Sequence, residues 1–233
     1  MPIAEVLHKV TTFTAGPPHP VVVLDLDSTL IDTGPRHLAI VEAFGSAHDI
    51  DVSDVLSYYA HRPVGWAVDP GLQACGWPTP QVNAFHAFWA ERFFDGAWCR
   101  FDQATPGAVA LARAVIQSGG IACYLTARPS PTMGIGTVTS LTALGFPLFR
   151  ARAPLHMKPS PHLSDARFKR AARQEVAALG TVVATFDNEP AHVNAMQEAF
   201  PDATHFLVGD VCSPDAPAPS AGTVALPDLH RRG

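Results

Sequence analysis

Carboxylates standing at the ends of apolar runs are the residues of this chain best suited to chemistry. In Val21-Val22-Val23-Leu24-Asp25-Leu26-Asp27-Ser28-Thr29-Leu30, four β-favouring apolar residues lead into two Asp one residue apart. A continuous apolar run of this kind reads as a parallel strand buried on both faces, and Asp is depleted within strands. Taken alone, two such Asp are also compatible with an ordinary strand-to-turn transition. Two later runs end in the same manner: 121–125 leads into Thr126-Ala127-Arg128, and 181–186 into Asp187-Asn188-Glu189. Right-handed crossovers put the carboxyl ends of parallel strands on one edge of a sheet, so the three clusters meet in one crevice. There Asp25, Asp27 and Asp187 would repel one another unless a cation lay between them. Hard oxygen donors without His or Cys suit Mg²⁺, which takes one or two carboxylates, several waters and a phosphate. A phosphate calls in turn for a positive side chain, and the lysines are only Lys9, Lys158 and Lys169.

The elements that must position these residues follow from periodicity. A short helical or irregular lead-in (1–20) ends in a Pro-rich entry to the first strand. After Gly34-Pro35 the spacing of Leu38, Val41 and Phe44 predicts a helix. The segment 33–103 holds all four tryptophans, Trp66, Trp77, Trp89 and Trp98, and reads as helices joined by Pro/Gly loops. Its clearest helix is 81–94, where Phe85, Trp89 and Phe93 recur on one face, a stripe best explained by core packing. From Thr105 strands and helices alternate: Thr105-Pro106-Gly107 offers a helix start, and further helices bear Val138, Leu141 and Leu144, then Phe168, Ala172, Val176 and Leu179, then Val193, Met196 and Phe200. A last short strand spans 205–208, and the Pro/Ala-rich tail 213–233 has little reason to fold alone. This alternation predicts an α/β fold, a Rossmann-like doubly wound parallel sheet with a mainly helical insert after its first strand.

Composition narrows the class. The chain has 233 residues, 47% hydrophobic and 16% charged, with a formal charge of -5. That mild acidity disfavours nucleic-acid coating and membrane-surface binding. Cys75, Cys99, Cys123 and Cys212 are widely spaced, with no pair suggesting a zinc site or a disulfide framework. No apolar stretch reads as a signal peptide or membrane span, so a cytoplasmic protein is expected.

Taken together, the motifs resemble those of the haloacid dehalogenase-like (HAD) superfamily, in order along 21–32 and 104–210. Val21–Leu30 matches the first motif, hhhhDxDx[TV]h, Thr126 the second, a helix-borne lysine the third and Asp187 the fourth. The resemblance implies a discontinuous core, 1–32 and 104–233, with 33–103 as a C1-type cap. It implies a Mg²⁺-dependent phosphatase acting on a small soluble phosphomonoester. Asp25 would be the nucleophile. Asp27 would be general acid and then base, with its main-chain carbonyl on Mg²⁺. Thr126 and main-chain N–H groups near Asp27 and Ser28 would hold phosphoryl oxygens, and Asp187 would complete the metal site. Asp27 separates the chain from true dehalogenases, whose halide leaving group needs no acid. The third-motif lysine is Lys169, at the start of the helix before the fourth strand, with Lys158 the alternative; a solvated basic face with Arg167, Arg170 and Arg173 is the plainer reading of Lys169. Asn188 replaces the second acid usual in the fourth motif, which leaves Glu189 as a supporting acid or as a helix N-terminal residue. Arg128 suits either a second anionic group of the substrate or bracing of its loop, and Arg36 a structural ion pair at the insert. The same core also admits a phosphomutase, a nucleic-acid end phosphatase or a non-catalytic phospholigand-binding module.

Overall fold

The computed structural model describes residues 2–13, 18–148 and 151–229. Residues 14–17, within the lead-in to the first strand, and the last four residues of the tail therefore lie outside the described residues. Six parallel strands form the main sheet: β1 (His19–Leu24), β4 (Ile121–Pro129), β5 (Leu155–Lys158), β6 (Gly180–Asp187), β7 (Thr204–Val208) and β8 (Val224–Leu226), in the order β5-β4-β1-β6-β7-β8. Valines alternate across β1. Val22 and Leu24 join a core packed by α1 (Pro2–Thr12) and α6 (Ala108–Gln117), while Val21 and Val23 join one packed by α8 (Asp165–Leu179) and α9 (Pro190–Ala199). Covering both faces is what an all-parallel sheet requires.

Strand order decides where a site can form. From β1 the chain moves outward through β4 to β5, then returns to place β6 on the other side of β1. The order reverses between β1 and β6, and a crevice opens outside the carboxyl ends at such a point. Asp25 follows β1 directly, and Asp187 closes β6.

Residues 33–103 leave and rejoin this sheet through two adjacent strands. Short β2 (Ile31–Asp32) pairs antiparallel with β3 (Gln103–Ala104). Between them run α2 (Gly34–His48), α3 (Ser53–Tyr59), α4 (Asp69–Ala74), α5 (Thr79–Phe93) and a 3₁₀ turn (Gly96–Phe101). They enclose a core of their own around Ile40, Phe44, Val55, Leu72 and Phe85. One close contact joins them to α7 (Ser130–Ala143): a Cβ on Gly136 would meet the main chain of Gly96 at 2.0 Å.

The structure departs from the periodicity in three places. β5 is a four-residue edge strand whose His and Lys give no apolar run. The tail does fold: β8 pairs with β7, and the side chains of Asn194 and Gln197 on α9 bond main-chain atoms of 218–221. Its stability comes from the sheet edge it covers, a partner that local composition does not reveal. Thr105 is not a helix cap: α6 begins after Gly107 at φ 87°, and the Thr105 hydroxyl donates instead to the Thr29 carbonyl.

Candidate active site

Asp25 and Asp187 lie on adjacent strands, and one ammonium spans them. Lys169 Nζ donates to Asp25 Oδ1 and to Asp187 Oδ2, both at 2.7 Å. All three side chains are buried. Lys169 occupies the inward face of α8, beside Phe168, Ala172 and Val176, while Arg167 and Arg170 on the same helix are exposed. Lys158, ending β5, pairs with Asp165 at 2.6 Å and lines the same cavity from its rim. Asp25 Oδ2 accepts from the fully buried Thr29 hydroxyl at 3.2 Å; the same hydroxyl lies 3.3 Å from Asn188 Oδ1. The Asn188 amide in turn donates to the Val211 carbonyl, which anchors the ring of polar groups behind Asp25.

Two buried carboxylates sharing one ammonium titrate apart. Burial, reinforced by the charge of Asp187, raises Asp25 to about 7 despite the pull of Lys169. For Asp187, burial is outweighed by Lys169 and His192, and the group falls to about 2. Burial lowers Lys169, but the two carboxylates win and raise it above its ordinary value. His192, on the first turn of α9, sits 3.0 Å from Lys169 Nζ and 3.6 Å from Asp187 Oδ1. Sequence spacing offered no reason to select it among scattered histidines.

Asp27 faces a different set of partners. Arg128, near the end of β4, donates to it through two nitrogens, Nε to Oδ2 at 2.8 Å and Nη2 to Oδ1 at 2.6 Å. The same Nη2 reaches Asp102 Oδ2 at 2.8 Å. Asp102, fully buried where the insert rejoins the core, also takes both Nε and Nη2 of Arg36 at 2.7 and 2.6 Å. Arg36 reaches back to Asp27 at 3.4 Å and donates to the Phe93 carbonyl. Two guanidinium groups and two carboxylates thus close a neutral network. It links two strand ends, Asp27 and Arg128, to both connections of the insert, Arg36 and Asp102. Burial pushes Asp27 upward, but Arg128, then Arg36, carry it down to about 2. Asp102 was not selected from sequence, where a single Asp after Phe101 has no distinguishing neighbour.

Other residues singled out from sequence have these places. Thr126 is buried at the cavity floor, its hydroxyl accepting from the Arg128 amide at 3.2 Å. Ser28 lines the cavity in a left-handed conformation, φ 58°. Its amide donates to the Ile31 carbonyl at 2.8 Å, so of the main-chain N–H groups near Asp27 and Ser28 expected to face a phosphoryl group, the one on Ser28 is already paired. The tight turn that folds 26–31 back on itself consumes it. Glu189 precedes α9 with no side-chain cap, and its carboxylate holds the amide and hydroxyl of Ser213 at 3.0 and 2.6 Å. Part of its function is therefore to pin the tail at the rim of the site.

The cavity over these groups has a volume of about 590 Å³, within the usual range for a small-molecule site. One side is ionic. The other is built by the insert: His37, Trp66, Trp89, Phe93 and Phe94. The aromatic stripe of α5 accordingly divides. Phe85 is core, whereas Trp89 and Phe93 lie at the edge of that core and also face the cavity. Helical spacing gives the face of a helix and cannot say how far along it the core extends.

The donor set fits Mg²⁺. Asp25 and Asp187 offer two buried carboxylates against one ammonium, an excess of negative charge that a hard cation would balance. Among the described residues no three acidic, His or Cys side chains converge as a complete cage. Mg²⁺ does not need one, since it keeps several waters. With the Asp27 carboxylate turned to Arg128, its main-chain carbonyl is the group that residue has to offer.

No protein-family model and no curated protein sequence matches the chain. Solved structures do match its fold. A haloacid dehalogenase-like hydrolase from Streptococcus pneumoniae superposes with a TM-score of 0.50 at 11% identity, over 88% of this chain and 92% of that one. A structure from Clostridium acetobutylicum described as a predicted phosphatase gives 0.52 at 14%, over 89% and 93%. A Thermotoga maritima structure provisionally named β-phosphoglucomutase gives 0.51 at 15%, over 89% and 93%. At these identities the likeness establishes architecture: the chain has the haloacid dehalogenase-like fold. The strand-end motifs imply that fold independently.

Proposed function

We propose that the protein is a Mg²⁺-dependent phosphatase that hydrolyses a small phosphomonoester through an aspartyl-phosphate on Asp25. The observation that carries this reading is the Asp25–Lys169–Asp187 contact at the switch point of the sheet. There a buried carboxylate lines a cavity, with cationic and hydroxyl groups around it. In the first half-reaction an Asp25 oxygen attacks phosphorus as the bond to the alcohol oxygen breaks, and Asp27 supplies the proton that the alcohol takes. In the second, Asp27 removes a proton from water, which attacks phosphorus and releases phosphate from Asp25. Lys169 and the Thr126 hydroxyl hold phosphoryl oxygens while charge shifts. Asp25, Asp187 and the Asp27 main-chain carbonyl would hold Mg²⁺, whose positive charge would keep Asp25 ionised and offset that of the phosphoryl group.

Held by Arg128, Asp27 is ionised, which suits it to the base step. The acid step needs Arg128 to loosen, and an incoming phosphate dianion competes for the same guanidinium. Residues 33–103 serve in this reading as a cap that excludes water and surrounds the organic part of the substrate. Arg128, one of two features favouring nucleic-acid ends, is buried in the network, which weakens that alternative. No helix among the described residues is long and apolar enough to cross a membrane. A cytoplasmic setting is part of the proposal, supported by four free thiols. Asp25→Asn should abolish hydrolysis of an aryl phosphate in the presence of Mg²⁺, with folding preserved by circular dichroism; full activity in that variant overturns the assignment.

A further inference from the structure

The insert presents more aromatic surface to the cavity than its own core requires. Among the described residues three large hydrophobic side chains are exposed, Trp66, Phe94 and Ile135, and the first two line the cavity. Trp66 is 52% exposed and Phe94 47%. Trp66 lines the cavity and makes no ring–ring contact with any described residue. Phe94 stands edge-on to Trp89 and Phe93, with centroids 5.8 and 5.3 Å away. Trp89 and Phe93, which line the same cavity, stack on each other at 4.6 Å. Exposed aromatic side chains gathered at one cavity mark a binding surface rather than scatter.

That wall offers few polar groups: the Trp66 indole N–H, the His37 ring and the Thr33 hydroxyl. The Trp89 indole N–H donates to His37 Nδ1 at 3.1 Å. His37 is neutral, because burial and the charge of Arg36 press it down to about 3. Arg36, the insert's one charged side chain at the cavity, is committed to Asp102, Asp27 and the Phe93 carbonyl. A polyol placed there would have more hydroxyls than the wall has partners, at a cost in binding. A flat, weakly polar ring needs fewer partners and would cover the indole.

We infer that the leaving alcohol of the substrate carries a planar aromatic ring, which stacks on the insert's wall with Trp66 and Phe94 as its principal contacts. This inference rests on the phosphatase reading and adds the class of substrate. Such a ring would sit across the cavity from Lys169 and Thr126, with the phosphate at the ionic end and the ring at the aromatic end. Base–aromatic stacking elsewhere is sequence-tolerant because each ring offers a π-face, so the wall selects planarity before substituents.

The test compares benzyl phosphate with cyclohexylmethyl phosphate, both esters of primary alcohols of similar size that differ in whether the ring is flat. With Mg²⁺, benzyl phosphate should show the higher kcat/KM by roughly 2- to 13-fold, the gain of an aromatic pair beyond its buried area. In Trp66→Ala and Phe94→Ala that ratio should fall towards one, chiefly through KM for the benzyl ester. Equal kcat/KM values for the two esters, or a ratio untouched in both variants, overturns the inference. If neither ester is hydrolysed while the wild-type protein is folded, the phosphatase reading fails separately. The ring is then tested by binding of benzylphosphonate against cyclohexylmethylphosphonate, read by quenching of tryptophan fluorescence. Preference for the flat ligand, lost in Trp66→Ala, sustains the aromatic site, and equal binding rejects it.

Discussion

Replacing Arg128 by Met would keep most of the side chain's volume and remove its charge from the centre of the network. The guanidinium is buried and holds Asp27 at 2.6 and 2.8 Å and Asp102 at 2.8 Å. Without it, Asp102 remains fully buried with Arg36 as its single partner, and Asp27 keeps Arg36 at 3.4 Å. Two carboxylates then face one cation. Breaking a buried pair by removing one partner costs about 3–5 kcal/mol. At roughly 2–4 °C per kcal/mol for a chain of this size, Tm should fall by about 6–20 °C. Charge balance makes a sharper claim. Arg128→Met/Asp102→Asn leaves Asp27 with Arg36, one charge of each sign, so the double variant should be less destabilised than the sum of the single ones. The coupling expected for neighbours in one network is about 0.5–3 kcal/mol. Urea unfolding of wild type, both single variants and the double variant at pH 7 measures it. The pH profile carries the functional half: with Arg128 gone, burial dominates Asp27, and the alkaline limb that its role as general acid gives kcat/KM moves to higher pH. Strictly additive stabilities together with an unmoved alkaline limb would refute the idea that Arg128 clamps Asp27.

Stability of the metal-free protein should fall as pH rises from about 4 to about 7, because folded Asp25 keeps its proton to about 7 while the ordinary carboxyl releases it at 3.8. Mg²⁺ should therefore raise Tm more at pH 8 than at pH 5 in differential scanning fluorimetry; equal shifts would count against Asp25 as the cation's partner. Lys169→Gln removes the ammonium shared by Asp25 and Asp187, and turnover should drop by about 10²–10³-fold. Lys158→Gln breaks an ion pair whose acid is half exposed, worth under about 1 kcal/mol, so its turnover should stay within a factor of about ten of wild type; the reverse ranking in steady-state kinetics would exchange their roles. Gly136→Ala would normally favour a helix by about 1 kcal/mol. Here its Cβ would meet Gly96 at 2.0 Å, so the variant should lose about 1–3 kcal/mol through overpacking, read from the urea midpoint.

Much of the sheet and part of the site are legible in one dimension. The valines of β1 and the apolar stretches of β4 and β6 announce buried parallel strands, because a strand covered on both faces must be apolar at every position. The alternation of those strands with helices implies the sheet edge on which Asp25, Asp27, Thr126 and Asp187 stand. Edge elements are harder to read. β5 and β8 are short and mixed in character, and each owes its stability to one neighbouring strand.

The chain's own pattern, in short runs of residue types, determines the strands, the carboxylates that end them and the small set of lysines able to face phosphate. What the local pattern does not contain is how those groups share their charges. Only the tertiary structure turns Lys169 inward between Asp25 and Asp187, gives Asp27 to Arg128, and recruits Asp102 from 75 positions beyond it. It also divides one aromatic stripe into a core residue, Phe85, and two cavity residues, Trp89 and Phe93. The physical reason is the same in each case. Periodicity reports which face of an element avoids water, whereas ion pairing, pKa and stacking depend on distances between elements that the sequence holds far apart.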